Sequence, residues 1–364
     1  MTQALPNAYG IAGVVLDGSR PAEPTTLWIA DGKIVDDQPA GAEILAKDVW
    51  VMPGLVDAHC HIGLDANGGV DEQTTEQQAI TDRDTGVLLV RDTGVPVDTH
   101  WIDERVDLPR IIRSGRHIAR PKRYIRNFAV EIEPEELPAE AARQAERGDG
   151  WVKIVGDWID REIGDLAPLW TPEQVHDAIA AVHEKGARVQ VHTFCEEAVA
   201  DWVNAGVDCV EHGTGLDGAL IDQMATKNIA LVPTLINLDN FPKYAAQGEA
   251  KFPIYSAHMM ALHARRLETI GKAREAGVQV YCGTDAGGVV EHGRVADEIE
   301  SLTRLGGAEF ALGAASWRAR QWLGAGGLAT GDSADFIVLE ADPRQDVSTL
   351  RRPKLVVLRG AAVH

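Results

Sequence analysis

The chain has 364 residues, 45% of them hydrophobic, and a formal net charge of −20 from 35 basic against 55 acidic side chains. Such a length buries a large core and fits one barrel-sized domain of roughly 250 residues plus a smaller lobe better than two equal domains. The acidic balance argues against nucleic acid or an anionic membrane surface as partner and favours a small-molecule substrate.

In chain order, residues 7–50 are short strands broken by "DGSRPAEP" and "DGK", and residues 328–362 repeat that texture in "GDSADFIVLEADP" and "KLVVLRG". Neither end holds enough apolar surface to fold alone. They are expected to pair into one small β-sandwich, residues 1–52 with 328–364, into which a domain of residues 53–327 is inserted.

That middle region alternates short Val/Ile/Leu runs with helical stretches. The expected strands are Val49–Val56, Val87–Arg91, Ile111–Ser114, Val152–Val155, Arg188–His192, Val207–His212, Ile229–Thr234 and Val278–Thr284. Residues 130–150 read as an acidic loop and then a helix. Thr171, Pro172 and Gln174 form a capping signature ahead of the apolar face Val175, Ile179 and Val182, which stops at Gly186. The stretches Glu196–Ala205 and His258–Ala276 end in the same way, at Gly206 and Gly277. Strand, helix, glycine, strand is the βα rhythm, and eight such units predict an α/β fold with a (β/α)₈ TIM barrel. No GxGxxG follows a strand, which weakens a dinucleotide-binding alternative.

No apolar run reaches the ~18 residues of a membrane span and no basic-then-apolar leader is evident, so a soluble, cytoplasmic protein is expected. Cys60, Cys195, Cys209 and Cys282 lack CxxC spacing and read as reduced core thiols. A homo-oligomer is left open.

Chemistry in a barrel gathers where each strand hands over to its loop. His59 and His61 end the first strand in "GLVDAHCHIG", Lys153 lies in the fourth, His192 and His212 end the fifth and sixth, and Asp285 ends the eighth in "CGTDAGG". Residues i and i+2 of a strand share a face, so His59 and His61 can hold one cation while Cys60 points away. Imidazoles with a carboxylate suit Zn²⁺. Each residue also has a plainer reading: an HxH pair can be two ordinary core histidines, and Asp285 can cap a helix. Lys153, an ammonium within "WVKIVG", either pairs with a carboxylate at the mouth or has become a carbamate through CO₂.

The ordered set H-x-H, Lys, His, His, Asp resembles the amidohydrolase superfamily of metal-dependent hydrolases. The resemblance runs through essentially the whole chain, from "VMPGLVDAHCH" to "GDSADFIVLEADP". It is most similar to the branch of imidazolonepropionase-like amidohydrolases and Xaa-Pro or Xaa-Arg dipeptidases. The resemblance implies one divalent metal on His59, His61 and Asp285, a second on His192 and His212, and a carboxylated Lys153 bridging them, with Zn²⁺ the first choice. It also implies a metal-bridging hydroxide as nucleophile, with Asp285 as the catalytic residue that moves the proton. His212 would bind metal or, in a one-metal variant, orient the substrate carbonyl.

The resulting expectation is a binuclear amidohydrolase that cleaves the amide C–N bond of a dipeptide or N-acyl amino acid. The alternatives are a cyclic-amide or lactam hydrolase, then a deaminase, then a barrel scaffold without catalysis. The superfamily's deaminases resemble one another in a Glu three residues after the fifth-strand His and in lacking the bridging Lys. Here that position is Cys195, with Glu196 next to it, and Lys153 is present. Relatives among the dipeptidases often carry a Gly-rich, Ser-containing loop after the Lys, where this chain has "VGDWIDREIGD".

For substrate recognition the one distinctive feature is a run of seven cations, Arg110, Arg113, Arg116, Arg120, Lys122, Arg123 and Arg126, in an otherwise acidic chain. It is either a solvated or subunit-facing loop or the source of an Arg that grips a substrate carboxylate, with Arg123 and Arg126 as candidates. Tyr124 is the candidate hydrogen-bond donor to the substrate carbonyl, and His292 a residue that could close over the pocket. His176, His183, His258 and His263 fall on expected helices and read as solvent-facing. Trp151, Trp158 and Trp170 read as core or pocket wall.

Overall fold

The computed structural model describes residues 5–364. Both chain ends enter one seven-stranded sheet, in the order Ala361–Ala362, Leu355–Leu358, Phe336–Leu339, Glu43–Pro53, Ala8–Val15, Pro24–Ala30, Lys33–Val35. Glu43–Pro53 runs antiparallel to Phe336–Leu339 and parallel to Ala8–Val15. Where two sheets are expected from the sequence, one sheet rolls on itself. Its edge strand Lys33–Val35 returns to the segment before Phe336, with the Ile34 amide donating to the Asp332 carbonyl at 3.0 Å. The roll closes because Gly32 and Gly360 sit at φ +74° and +78°, and a Cβ on Gly360 would lie 2.5 Å from the Gly32 Cα. Tyr9, Ile11, Ile29, Val51, Phe336 and Val357 fill the enclosed core.

The run expected as one strand over Val49–Val56 is two. Pro53 ends the strand of the terminal sheet, and Leu55–Cys60 begins the next sheet after Gly54, where any Cβ would meet the Leu88 side chain at 2.5 Å. Leu55–Cys60, Val87–Asp92 and Arg110–Arg113 form a parallel three-stranded sheet. A second parallel sheet has the order Val130–Glu131, Ile118–Ala119, Trp151–Val155, Arg188–Thr193, Cys209–His212, Ala230–Val232. The third expected strand is thus interrupted: Arg110–Arg113 pairs in one sheet, and Ile118–Ala119 resumes in the other.

The eighth expected strand is not a regular strand. Residues 278–286 touch both sheets through isolated bridges, Val280 with Leu231 and Ala286 with Cys60. The Ala58 amide donates to the Cys282 carbonyl at 2.8 Å and the Asp285 amide to the His59 carbonyl at 2.7 Å. Gly283 permits this approach, since a Cβ there would lie 2.6 Å from the Cβ of His59. The two parallel sheets are therefore tied by single bridges rather than by one continuous closed ladder.

Helices pack between the strands as their caps dictate. Pro172–Glu184 starts at a Thr171 capping box and buries Val175, Ile179 and Val182, and Glu196–Ala205 ends at Gly206 in the left-handed region, φ +87°. Within residues 130–150 the helix is Leu137–Arg147. Among the elements that escape the sequence reading are an antiparallel hairpin, Asp157–Asp160 with Asp165–Pro168, and the helix Phe241–Gly248. No described helix is long and apolar enough to cross a membrane.

His258, expected to face solvent on its helix Pro253–Glu275, instead bonds Glu196 Oε2 through Nε2 at 3.0 Å and lies 3.0 Å from Asp165 Oδ1 through Nδ1. The Glu196 hydrogen bond, with help from Asp165, raises its pKa to about 9 against the opposing effect of burial. A raised pKa stabilises the folded state fully below about pH 6.5 and loses that contribution as pH climbs through about 9. Because Glu196 is half exposed, the gain is about 1 kcal/mol. His258→Gln should therefore lower the urea midpoint at pH 6 and leave it almost unchanged at pH 10. An equal loss at both pH values would count against the pair.

Candidate metal centre

Strand ends bring the expected residues together in two groups. His59 Nε2 lies 3.2 Å and His61 Nε2 3.1 Å from Asp285 Oδ1. His192 Nδ1 faces His212 Nε2 at 3.0 Å. The groups adjoin, since the His59 and His212 rings are 5.2 Å apart. Lys153 is in register with Gln190 on the neighbouring strand, and its buried Nζ has no hydrogen-bond partner. His212 and Asp285 adopt left-handed backbone, φ +66° and +62°, as does Thr234 at φ +49°. Three adjacent strand ends thus carry side-chain residues in a sparsely populated conformation, a pattern characteristic of functional sites.

The spacings fit the donor set to cations. Nitrogen and oxygen ligands at 2.0–2.1 Å around a tetrahedral ion stand about 3.3 Å from one another. The contacts of 3.0 to 3.2 Å among these side chains are close to that. Two imidazole nitrogens facing each other, and a buried ammonium with no acceptor, are costly unless another group satisfies them.

Two side chains and one backbone carbonyl hold three of the rings by Nδ1 and leave Nε2 for the centre. His59 Nδ1 bonds Glu211 Oε2 at 2.6 Å, His61 Nδ1 bonds the Gly94 carbonyl at 3.0 Å, and His212 Nδ1 bonds Thr234 Oγ1 at 2.7 Å. Glu211 is held in turn by Arg91, whose Nη2 donates to Oε1 at 2.7 Å and whose guanidinium lies 4.6 Å from the Trp151 ring and 4.8 Å from that of Trp322. Asp285 Oδ2 accepts from Asn237 Nδ2 at 2.7 Å, and Asn237 Oδ1 accepts from the Tyr244 hydroxyl at 2.9 Å.

Electrostatics follow from burial and partners. Burial lowers Lys153 to about 8, against the pull of Glu211 and Asp285. Burial likewise lowers His212 to about 3 and drives His192 well below its usual range. For Glu211 burial raises the pKa, but Arg91 and His59 outweigh it and keep the carboxylate ionised.

A cavity of about 470 Å³ opens above the centre, with His59, His61, His192, His212 and Asp285 among its lining residues. Tyr124 lines it too, its ring 5.7 Å from that of His192. The other substrate-binding candidates do not reach it. Arg123 pairs with Asp160 at 2.8 Å and bonds the Trp158 and Ala167 carbonyls, while Arg126 is exposed and outside the lining. Arg113 pairs with Asp103 and Asp149. The basic run is largely a set of loop braces, because fixed guanidinium donors satisfy carbonyls and carboxylates of the irregular chain around them.

His292 does not close over the pocket. Its Nδ1 bonds Asp82 Oδ2 at 2.8 Å, and Asp82 Oδ1 accepts from the Gly293 amide, latching this loop to the helix Glu72–Asp84. Cys60 turns to the same place, Sγ 3.5 Å from Asp82 Oδ2, away from the cavity between its two histidine neighbours. All four cysteines are free and buried. Trp151 lies in the core under Arg91, Trp158 lines the cavity, and Trp170 is buried with its Nε1 on the Val155 carbonyl.

Sequence reading misses His117, which stacks on His61 with centroids 5.1 Å apart and is buried with neither ring nitrogen partnered. It was hidden inside the basic run "SGRHIAR". Asn237 and Tyr244 are missed as well, since they belong to two short helices after the seventh strand, Leu235–Leu238 and Phe241–Gly248. Arg91 and Glu211 had a visible signal: opposite charges inside the apolar runs "LLVRD" and "CVEH" need each other once buried.

The Amidohydrolase family profile matches residues 50–363. The Mycobacterium tuberculosis protein Rv2915c is 55% identical over 336 residues, covering 92% of this chain and 90% of that protein. Aspergillus niger ochratoxinase is 26% identical over 231 residues, covering 61% of this chain and 47% of that protein. Among solved structures, a Xaa-Pro dipeptidase with methionine in its active site superposes with a TM-score of 0.82 at 23% identity, covering 98% of this chain and 99% of the other. The protein is a member of the amidohydrolase family.

Proposed function

We propose that this protein is a binuclear metal-dependent amidohydrolase that cleaves the amide bond of a dipeptide or N-acyl amino acid. The observation that carries the reading is the centre itself: His59, His61 and Asp285 on one side, His192 facing His212 on the other, and a buried, unpartnered Lys153 amine. His59, His61 and Asp285 would hold one cation, His192 and His212 a second, and Lys153, as a carbamate, would bridge them. The all-nitrogen and oxygen donor set suits Zn²⁺. Divalent ions bound there supply Lewis acidity toward the carbonyl and a water acidified to near neutral pH.

The chain's residues do the rest. Asp285 accepts the proton of the attacking water and returns it to the leaving nitrogen, a step amides need because an unprotonated amine anion is a poor leaving group. The Asn237 amide on Oδ2 fixes the carboxylate for that transfer. Tyr124, which lines the cavity, would donate to the substrate carbonyl. The aromatic wall excludes bulk water and strengthens each of these contacts.

The architecture that goes with this reading would be a (β/α)₈ barrel of residues 53–327, to which the two parallel sheets and residues 278–286 would contribute the wall, beside a terminal domain of residues 1–52 and 328–364. The relatives named Xaa-Pro dipeptidase and ochratoxinase agree with an amide-cleaving role.

The test is a panel of N-acyl amino acids, Xaa-Pro and Xaa-Arg dipeptides and lactams, assayed with zinc-loaded and chelator-stripped protein. Hydrolysis of the linear amides by the loaded form alone is expected. Turnover of lactams only would transfer the assignment to a cyclic-amide hydrolase.

A further inference from the structure

Resting on that reading of the centre, we propose that the substrate's carboxylate-bearing residue is bulky and aromatic, and that Lys251 at the cavity rim receives its carboxylate. The cavity holds about 470 Å³, within the range of sites that enclose ligands larger than glycine derivatives. Its walls include Phe128, Trp158, Phe194, Phe252 and Tyr255. Several rings are locked edge to face, Tyr124 with Trp158 at 4.8 Å and Phe194 with Phe241 at 4.7 Å, which makes a preformed slot for another ring.

Charge then fixes the direction in which a substrate lies. The one carboxylate lining the cavity is Asp285, and Lys251 is its one lysine or arginine. Lys251 is exposed, its Nζ 5.1 Å from the Phe252 ring centroid, and it makes no ion pair among the described residues. With Lys251 as the one lysine or arginine of the cavity, a substrate carboxylate held there leaves the scissile amide pointing to the histidines and the aromatic side chain along the wall. Of the cations expected from the sequence to play this part, Arg123 is held by Asp160 and the Trp158 and Ala167 carbonyls, and Arg126 lies outside the cavity lining.

The experiment uses N-acetyl-L-phenylalanine, N-acetylglycine and N-acetyl-L-phenylalaninamide with the wild type and Lys251→Met. Binding is measured by calorimetry on metal-free protein, and acetate release on zinc-loaded protein. Burying a phenyl ring should favour the phenylalanine compound over the glycine one by roughly ten- to hundredfold. An exposed ion pair should favour the acid over the amide by about fivefold, and Lys251→Met should erase that factor while leaving amide binding unchanged. Equal weakening of acid and amide by Lys251→Met, or glycine binding as well as phenylalanine, would overturn the inference. If both binding preferences hold while no compound is hydrolysed, the subsite stands and the amide-hydrolase reading falls.

Discussion

Glu211→Ala should cost about 3 to 5 kcal/mol of folding stability, because it strands a charge in the core. Arg91 and Glu211 are fully buried, and the Arg91 guanidinium has only the Ala58 carbonyl and the Cys209 sulfur as other acceptors. Arg91 Nη1 already lacks a partner, so no spare acceptor exists to absorb the loss. Glu211→Gln separates two effects. The amide keeps the shape and one acceptor for Arg91, but it no longer fixes His59 Nδ1 as a carboxylate does. Zinc affinity should fall about 10- to 100-fold in Glu211→Gln with a smaller change in melting temperature. Unchanged affinity in Glu211→Gln would mean that His59 is oriented by packing alone.

Asp285→Asn should lower kcat by about 10²- to 10⁴-fold, the usual worth of a positioned proton carrier. The substitution is isosteric and keeps an oxygen toward the histidines, so the fold should survive, as checked by near-ultraviolet circular dichroism. The diagnostic lies in the leaving group. A substrate with an activated leaving group departs without full protonation, so Asp285→Asn should be less impaired on an activated ester than on an alkyl amide. Equal impairment on both would place Asp285 in metal binding only and remove it from proton transfer.

The sequence carried much of the fold because βα units announce themselves locally. A strand reads as a branched apolar run and a helix as a cap, a stripe and a glycine, and Thr171, Gly206 and Gly277 marked those limits correctly. What it could not carry were features set by tertiary contact. Residues 278–286 look like any other strand, yet Gly283 pressed against His59 reduces them to bridges. The hairpin after Val155 begins in "GDWID", whose alternation is too short to separate from a loop.

The candidate centre was legible for a similar reason. Strand ends are marked by the βα rhythm, so histidines, a lysine and an aspartate there point to one place. Substrate contacts come from loops, where spacing carries no geometry. The run of arginines was the strongest charge signal in the chain, yet Arg113 and Arg123 are consumed by Asp103, Asp149 and Asp160. The lone Lys251 gave no signal because one exposed lysine resembles any other.

The central claim is a pair of cations bridged through Lys153, and counting metal tests it most directly. Protein reconstituted with zinc in bicarbonate buffer, freed of excess ion and measured by inductively coupled plasma mass spectrometry, should hold two ions per chain, and Lys153→Ala should hold fewer and lose activity. One ion per chain in the wild type, or full metal content and activity in Lys153→Ala, would contradict the account.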